Sequence, residues 1–139
     1  MKELSKKNAN WIPKNRYLEL KYFCFQYWDW KQKIEDLGTM VFNYMINATS
    51  GKKNIGSDPT YTALVRQASY KDKCESVEMA IRSTCKDFNA EYMYDILLDG
   101  ITNGKSYDIL RVNNDHIVSR TEYYQMYRAA FFNLNMIHV

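Results

Sequence analysis

The sequence predicts an all-α protein, a helical bundle that ends in a C-terminal helix-turn-helix. Three observations carry that expectation. Apolar residues recur at spacings of three and four through most of the chain, the period of a helix packed along one side. Period-two alternation of β-branched residues does not extend over any useful length, so no strand competes. Helix start and stop signals also stand at the borders of the periodic segments: Asp58-Pro59, Asn103-Gly104, and Ser119 with Glu122.

Residues 1–14 show no helical period and are expected to be poorly ordered, with Trp11, Ile12 and Pro13 anchoring the entry to the first helix. A helix is expected from about Asn15 to Gln26, where Tyr17, Leu20 and Cys24 share a face. An irregularity at Tyr27-Trp28-Asp29 follows, then a second helix into Met45, with Asp29 as its candidate cap and Trp30, Ile34 and Leu37 on its inner face. Aromatic rings beside lysines can also stack on bases. Core packing is the stronger reading, because these rings keep the helix period.

Residues 47–57, NATSGKKNIGS, form a linker of small and polar residues, and divide the chain into segments 1–57 and 58–139. Asn47-Ala48-Thr49 matches a glycosylation sequon, which carries no meaning without a secretory route. Asp58 then stands as an N-cap before proline at the first helical position. The helix it opens is expected to reach Cys85, with Tyr70, Cys74, Val77 and Ile81 inward and Lys71, Asp72, Lys73, Glu75 and Glu78 outward.

Three further helices are expected between Ala90 and Asn135. The first runs to about Ile101 with Asn89 as N-cap, and Asn103-Gly104 stops it in the left-handed conformation. A short second helix begins after Ser106, with Tyr107, Ile109 and Leu110 available for burial, and is broken by Asn113, Asn114, Asp115 and His116. In the third, Ser119-Arg120-Thr121-Glu122 reads as a capping box. Tyr123, Tyr127, Phe131 and Leu134 then form a buried stripe, while Arg120, Thr121, Gln125 and Arg128 fall on the other side with Tyr124 at the border. A recognition helix needs that division, a polar and cationic first half on a helix whose other face is packed.

Composition narrows the class. Net charge is +3, from 19 Lys and Arg against 16 Asp and Glu, which permits an anionic partner without requiring one. Six cations against two carboxylates lie in residues 1–21, a basic arm able to hold phosphates. Cys24, Cys74 and Cys85 are odd in number with no CxxC pair, which suits reduced thiols in the cytoplasm. Neither an apolar leader nor an apolar run of about 18 residues is present, so secretion and membrane spanning are not expected. Nothing reads as a phosphate loop, a zinc site or a nucleophile with its base, so no enzyme activity, cofactor or metal is expected. Asp95 and Asp99, four apart on one helix, are a surface pair without a second cluster.

Three segments, Trp11 to Lys31, Ser57 to Ile81 and Ser119 to Phe132, together resemble the RinA and ArpU type of phage transcriptional regulators from Gram-positive hosts. The last segment, SRTEYYQMYRAAFF, is similar to that family's paired aromatics followed by basic residues and paired phenylalanines. The resemblance implies a helix-turn-helix like the fourth conserved region of sigma factors, activation of late or packaging genes at phage promoters, and a bacterial host cytoplasm. It also implies host RNA polymerase as a candidate partner. Where the family tends to place two adjacent basic residues this chain has Tyr127-Arg128, which removes one expected contact.

The expected function is therefore sequence-specific binding of double-stranded DNA, with helix 119–135 in the major groove. Arg120, Thr121 and Gln125 are the candidate base readers, since an arginine or an amide makes paired hydrogen bonds to base edges. Lys105, Ser106, Arg111, Ser119 and Arg128 are the candidate phosphate contacts, with Tyr124 at the edge of the surface. A homodimer would supply charge that one copy lacks. The rival expectation is a helical protein-interaction module that binds a host protein such as RNA polymerase, for which abundant aromatics serve equally well.

Overall fold

The computed structural model describes residues 6–48 and 59–138. Among the described residues the chain is all-helical and has no strand: α1 (Lys14–Cys24), α2 (Tyr27–Ala48), α3 (Pro59–Asp87), a 3-10 turn (Glu91–Met93), α4 (Tyr94–Asn103), α5 (Tyr107–Asn113) and α6 (Arg120–Ile137). The Asp58 cap and linker residues 49–57 lie outside the described residues. No described helix is long and apolar enough to cross a membrane.

The chain gathers into two compact units, Met1–Gln26 with Ser76–Val139, and Tyr27–Glu75. Within the first unit α1 packs against α6, and within the second α2 pairs with the first half of α3.

The unit of residues 27–75 is an antiparallel two-helix hairpin. Gln67 Nε2 donates to the Ile34 carbonyl at 3.0 Å, and Cys74 Sγ donates to the Tyr27 carbonyl at 3.9 Å. The Lys33 ammonium lies over the Tyr70 ring and that of Lys73 over the Trp30 ring. Tyr27, Trp30, Ala63 and Cys74 are buried, so the helical spacing seen in the sequence does mark the inner face.

The other unit holds α1, the second part of α3, and α4 to α6. Residues 6–10 form turns and bends, in which Asn8 accepts from Asn10 N–H through its side chain and from Trp11 N–H through its carbonyl. The break after α1 falls at Phe25-Gln26, earlier than the expected Tyr27-Asp29. Phe25 N–H bonds Lys21 O and Gln26 N–H bonds Phe23 O, which uses up the last carbonyls of α1. Asp29 consequently lies in the first turn of α2, where the helix dipole favours a carboxylate, instead of capping it. That helix also continues past Met45 to Ala48.

α1 lies along α6. Arg16 donates to Asn135 Oδ1 at 2.7 Å and to the His138 carbonyl. The Tyr17 and Tyr127 hydroxyls are 2.9 Å apart, and the Tyr17 ring meets Phe131 edge-on. Val77, Ile81 and Thr84 of α3 are buried, and Thr84 Oγ1 donates back to Ala80 O while accepting from Asn133 of α6. The three cysteines are free and buried. Burial pushes the Cys24 thiol up to about 12 and, with the Glu91 carboxylate as a second cause, the Cys85 thiol up to about 11.

Asn89 does not cap α4. It takes a left-handed φ of 52° and closes α3, with Asn89 N–H bonded to Lys86 O and Ala90 N–H to Cys85 O. This is the Schellman arrangement, which asparagine tolerates better than most residues. The chain then makes the 3-10 turn, so α4 starts at Tyr94 rather than at Ala90.

Candidate nucleic-acid interface

α4 ends where expected. Gly104, at φ 66°, takes the left-handed position, and its N–H and that of Lys105 both reach Gly100 O. Gly100 also allows α4 to approach α6, since a Cβ there would press on the hydroxyl of buried Tyr123.

α5 opens at Ser106, which has the extended backbone of an N-cap, but its hydroxyl caps nothing. The Tyr124 hydroxyl of α6 takes that role instead, accepting from Tyr107 N–H at 3.5 Å. Tyr107 in turn donates through its own hydroxyl to Val118 O at 2.7 Å. The join from α5 to α6, residues 114–119, is therefore tied at both ends. Asn114 Nδ2 bonds Leu110 O, Val118 is buried, and the His116 ring packs on Tyr92 at 4.1 Å between centroids.

Ser119 caps α6 as expected, accepting from Glu122 N–H at 3.3 Å. Among the described residues the Glu122 carboxylate makes no return bond, so only half of the capping box forms. Tyr123, Met126, Ala130, Phe131 and Leu134 are buried along one side. Sequestering Met126, Phe131 and Leu134 contributes about 1.5–3 kcal/mol each, which fixes the rotation of α6 about its axis. That rotation leaves Ser119, Arg120, Thr121 and Gln125 exposed. Burial holds the Tyr123 hydroxyl well above its usual pKa, and burial with the Tyr17 hydrogen bond does the same for Tyr127, so both rings stay neutral.

The cationic side chains are less free than the sequence suggests. Arg120 is ion-paired to Asp108 and lies over the Tyr107 ring, 5.1 Å from its centroid. Lys105 bonds Asp99 at 2.9 Å across the Gly104 turn. Arg128 is half-buried, and its Nε is enclosed with no hydrogen-bond partner among the described residues. Tyr124 is half-buried and committed to α5. Arg111, on the last turn of α5, is exposed and carries no ion pair to a described residue. From Asp99 to Arg128 four cations face four carboxylates, so the segment is neutral as a whole.

Sequence reasoning missed Asp108 and Asp99 as partners of Arg120 and Lys105. Asp108 and Arg120 are twelve residues apart on different helices, a separation with no local spacing signal. Ile109, expected to be available for burial beside Tyr107 and Leu110, instead points outward from α5 and is 51% exposed, because burial of Tyr107 and Leu110 fixes the rotation of this short helix. Val112, which the sequence did not single out, is 83% exposed. Among the described residues no three His, Cys, Asp or Glu side chains gather to hold a metal ion. Comparison with family models, with curated proteins and with solved structures gives no match in any of the three.

Proposed function

We propose that the chain is a phage-type DNA-binding transcriptional regulator, an activator of late genes, in which α5 and α6 act as a helix-turn-helix like that of sigma region four. The observation that carries this reading is the division of α6. Its first two turns present Arg120, Thr121 and Gln125 outward, while the same helix is locked by burial on the opposite side. A rigid helix with exposed amide and guanidinium groups in its N-terminal half is what major-groove readout requires.

On duplex DNA, Arg120 exchanges the Asp108 carboxylate for a base edge or phosphate, and Thr121 and Gln125 read neighbouring positions. Ser119, Arg111, Lys105, Ser106 and the exposed edge of Arg128 set register on the backbone. The exchange costs little, because an exposed ion pair contributes only about 0.2–1 kcal/mol. The segment's neutrality makes affinity modest per copy, and the basic residues before α1 add to it. Selection of bound duplexes from a random pool tests the reading. Enrichment of a short common site is expected, and failure to retain any duplex at low salt would overturn it.

A second reading is a helical module that binds a host protein such as RNA polymerase. The exposure of Ile109 and Val112, one turn apart on α5, favours it. Apolar side chains at that density suit a protein contact better than a phosphate surface.

A further inference from the structure

We infer that Asp108 sets the sequence preference of the proposed DNA face, by withholding Arg120 from phosphates and releasing it to a guanine. The inference deepens the DNA reading above and rests on it.

The first observation is where the pair sits. Asp108 lies in the first turn of α5, and Arg120 is the first residue of α6. The two helix ends converge on Tyr107. Its ring lies 5.1 Å from the Arg120 guanidinium, and it is buried, with its hydroxyl bonded to Val118 O and its N–H to the Tyr124 hydroxyl. The guanidinium therefore rests on a ring that is itself held in place, beside a carboxylate that the fold brings to it from twelve residues away.

The second observation is exposure. The Arg120 and Asp108 side chains are 54% and 68% exposed, so the pair does not neutralise a buried charge. An exposed pair contributes little to stability. Its net charge is zero, so a passing DNA strand meets no attraction from Arg120. Arg111, by contrast, is exposed with no ion pair to a described residue and stands open to any phosphate.

The chemistry of the acceptor then decides what releases Arg120. A phosphate oxygen replaces one anionic acceptor with another and leaves the Asp108 carboxylate unpaired beside a line of like charges, so the exchange gains nothing. Guanine presents O6 and N7 together in the major groove, two acceptors that match the arginine fork. The freed carboxylate is then beside base edges, where a cytosine amino group can donate to it. Discrimination arises from the repulsive element as much as from the new contact.

The test titrates fluorescent duplexes with the full chain at several salt concentrations. The duplexes are a site selected from a random pool, the same site with each guanine in turn replaced by adenine, and a random duplex. In the wild type, replacing one guanine should lower affinity by about tenfold or more. In Asp108→Asn that penalty should shrink by about two- to fivefold. Binding to random duplex should tighten more than binding to the selected site, and its logarithmic salt slope should steepen by about 0.9, one added phosphate contact. Asp108→Glu retains the carboxylate and should retain the penalty. Asp108→Asn made in Arg120→Ala should not steepen the slope, which separates release of Arg120 from loss of a negative charge. An unchanged guanine penalty and random-duplex slope in Asp108→Asn would overturn the inference and leave the DNA reading standing, as would equal steepening without Arg120 or a wild-type site indifferent to every guanine. Failure to bind any duplex would overturn both.

Discussion

Gly100→Ala tests most sharply how α4 is seated against α6. A Cβ at this position falls inside van der Waals contact of Tyr123 Oη and lies 2.9 Å from Leu110 Cδ1 and 3.3 Å from Tyr123 Cζ. Tyr123 is 1% exposed, so its ring has no solvent into which to swing. Overpacking of this kind costs about 1–3 kcal/mol, against about 1 kcal/mol returned by alanine's helix preference. The steric cost is greater because the clashing atom belongs to a buried ring, leaving a net loss of about 1–2 kcal/mol. The Tyr123 hydroxyl is itself buried with no partner among the described residues. Tyr123→Phe therefore removes a desolvated group without breaking a bond, and should be neutral or stabilising by up to about 1 kcal/mol. It also removes the atom nearest the added methyl. In that background Gly100→Ala should cost at least about 1 kcal/mol less than in the wild type, a coupling that a double-mutant cycle reads directly. Urea unfolding of the four proteins, followed by circular dichroism, supplies the four free energies. Additive effects, or a Gly100→Ala protein as stable as the wild type, would refute the close approach of the two helices.

Asp108→Asn releases Arg120 and removes a carboxylate from the proposed DNA face, so duplex affinity should rise by up to about fivefold in a fluorescence titration, in keeping with an exposed pair worth at most about 1 kcal/mol. Unchanged or weaker binding would contradict the exchange of Asp108 for DNA. Ser119→Ala removes the one side-chain cap bond of α6 and should cost about 1 kcal/mol in urea unfolding, with no loss expected if the bond contributes nothing. The Cys24 and Cys85 thiols have folded pKa values above the unfolded value of 9.0, so the folded state binds more protons in alkali. Their contribution to stability is complete below about pH 9 and is lost as pH rises toward about 11–12, which the urea midpoint should follow. A midpoint flat through that window would contradict the burial of these thiols. The same burial makes all three cysteines slow toward a thiol reagent in the native state and fast in denaturant.

Helix existence was legible throughout, because apolar residues such as Leu20, Val77, Ile81 and Phe131 keep the 3.6 period and each is buried. Gly104 and Ser119 were legible as terminators for the same local reason, a backbone conformation or a hydroxyl that few residues supply. Asn89 misled because asparagine suits an N-cap and a left-handed C-terminal position equally, and only tertiary packing chooses between them. The break between α1 and α2 was legible but placed late, at Tyr27-Asp29 rather than Phe25-Gln26, because no glycine or proline marks it. At the candidate site, exposure of Thr121 and Gln125 followed from the buried stripe. The pairing of Arg120 with Asp108 and the capping of α5 by Tyr124 depend on contacts between helices, which local spacing does not encode. The outward stripe of Tyr61, Leu64 and Val65 kept a helix period too, but it lay on the face that a single inner stripe leaves to solvent.

The most direct measurement is the salt dependence of binding to a selected duplex and to a random one, for the wild type and for Arg120→Ala. With Lys105, Arg111 and Arg128 as the cationic phosphate contacts, the logarithmic slope expected is about −3 per copy. Arg120→Ala should lose roughly 1–3 kcal/mol on the selected site alone, as a base reader does. Equal weakening on both duplexes would reduce Arg120 to a phosphate contact. A slope near zero, or no binding to either duplex, would contradict the DNA-reading role of α6 and leave the protein-interaction module.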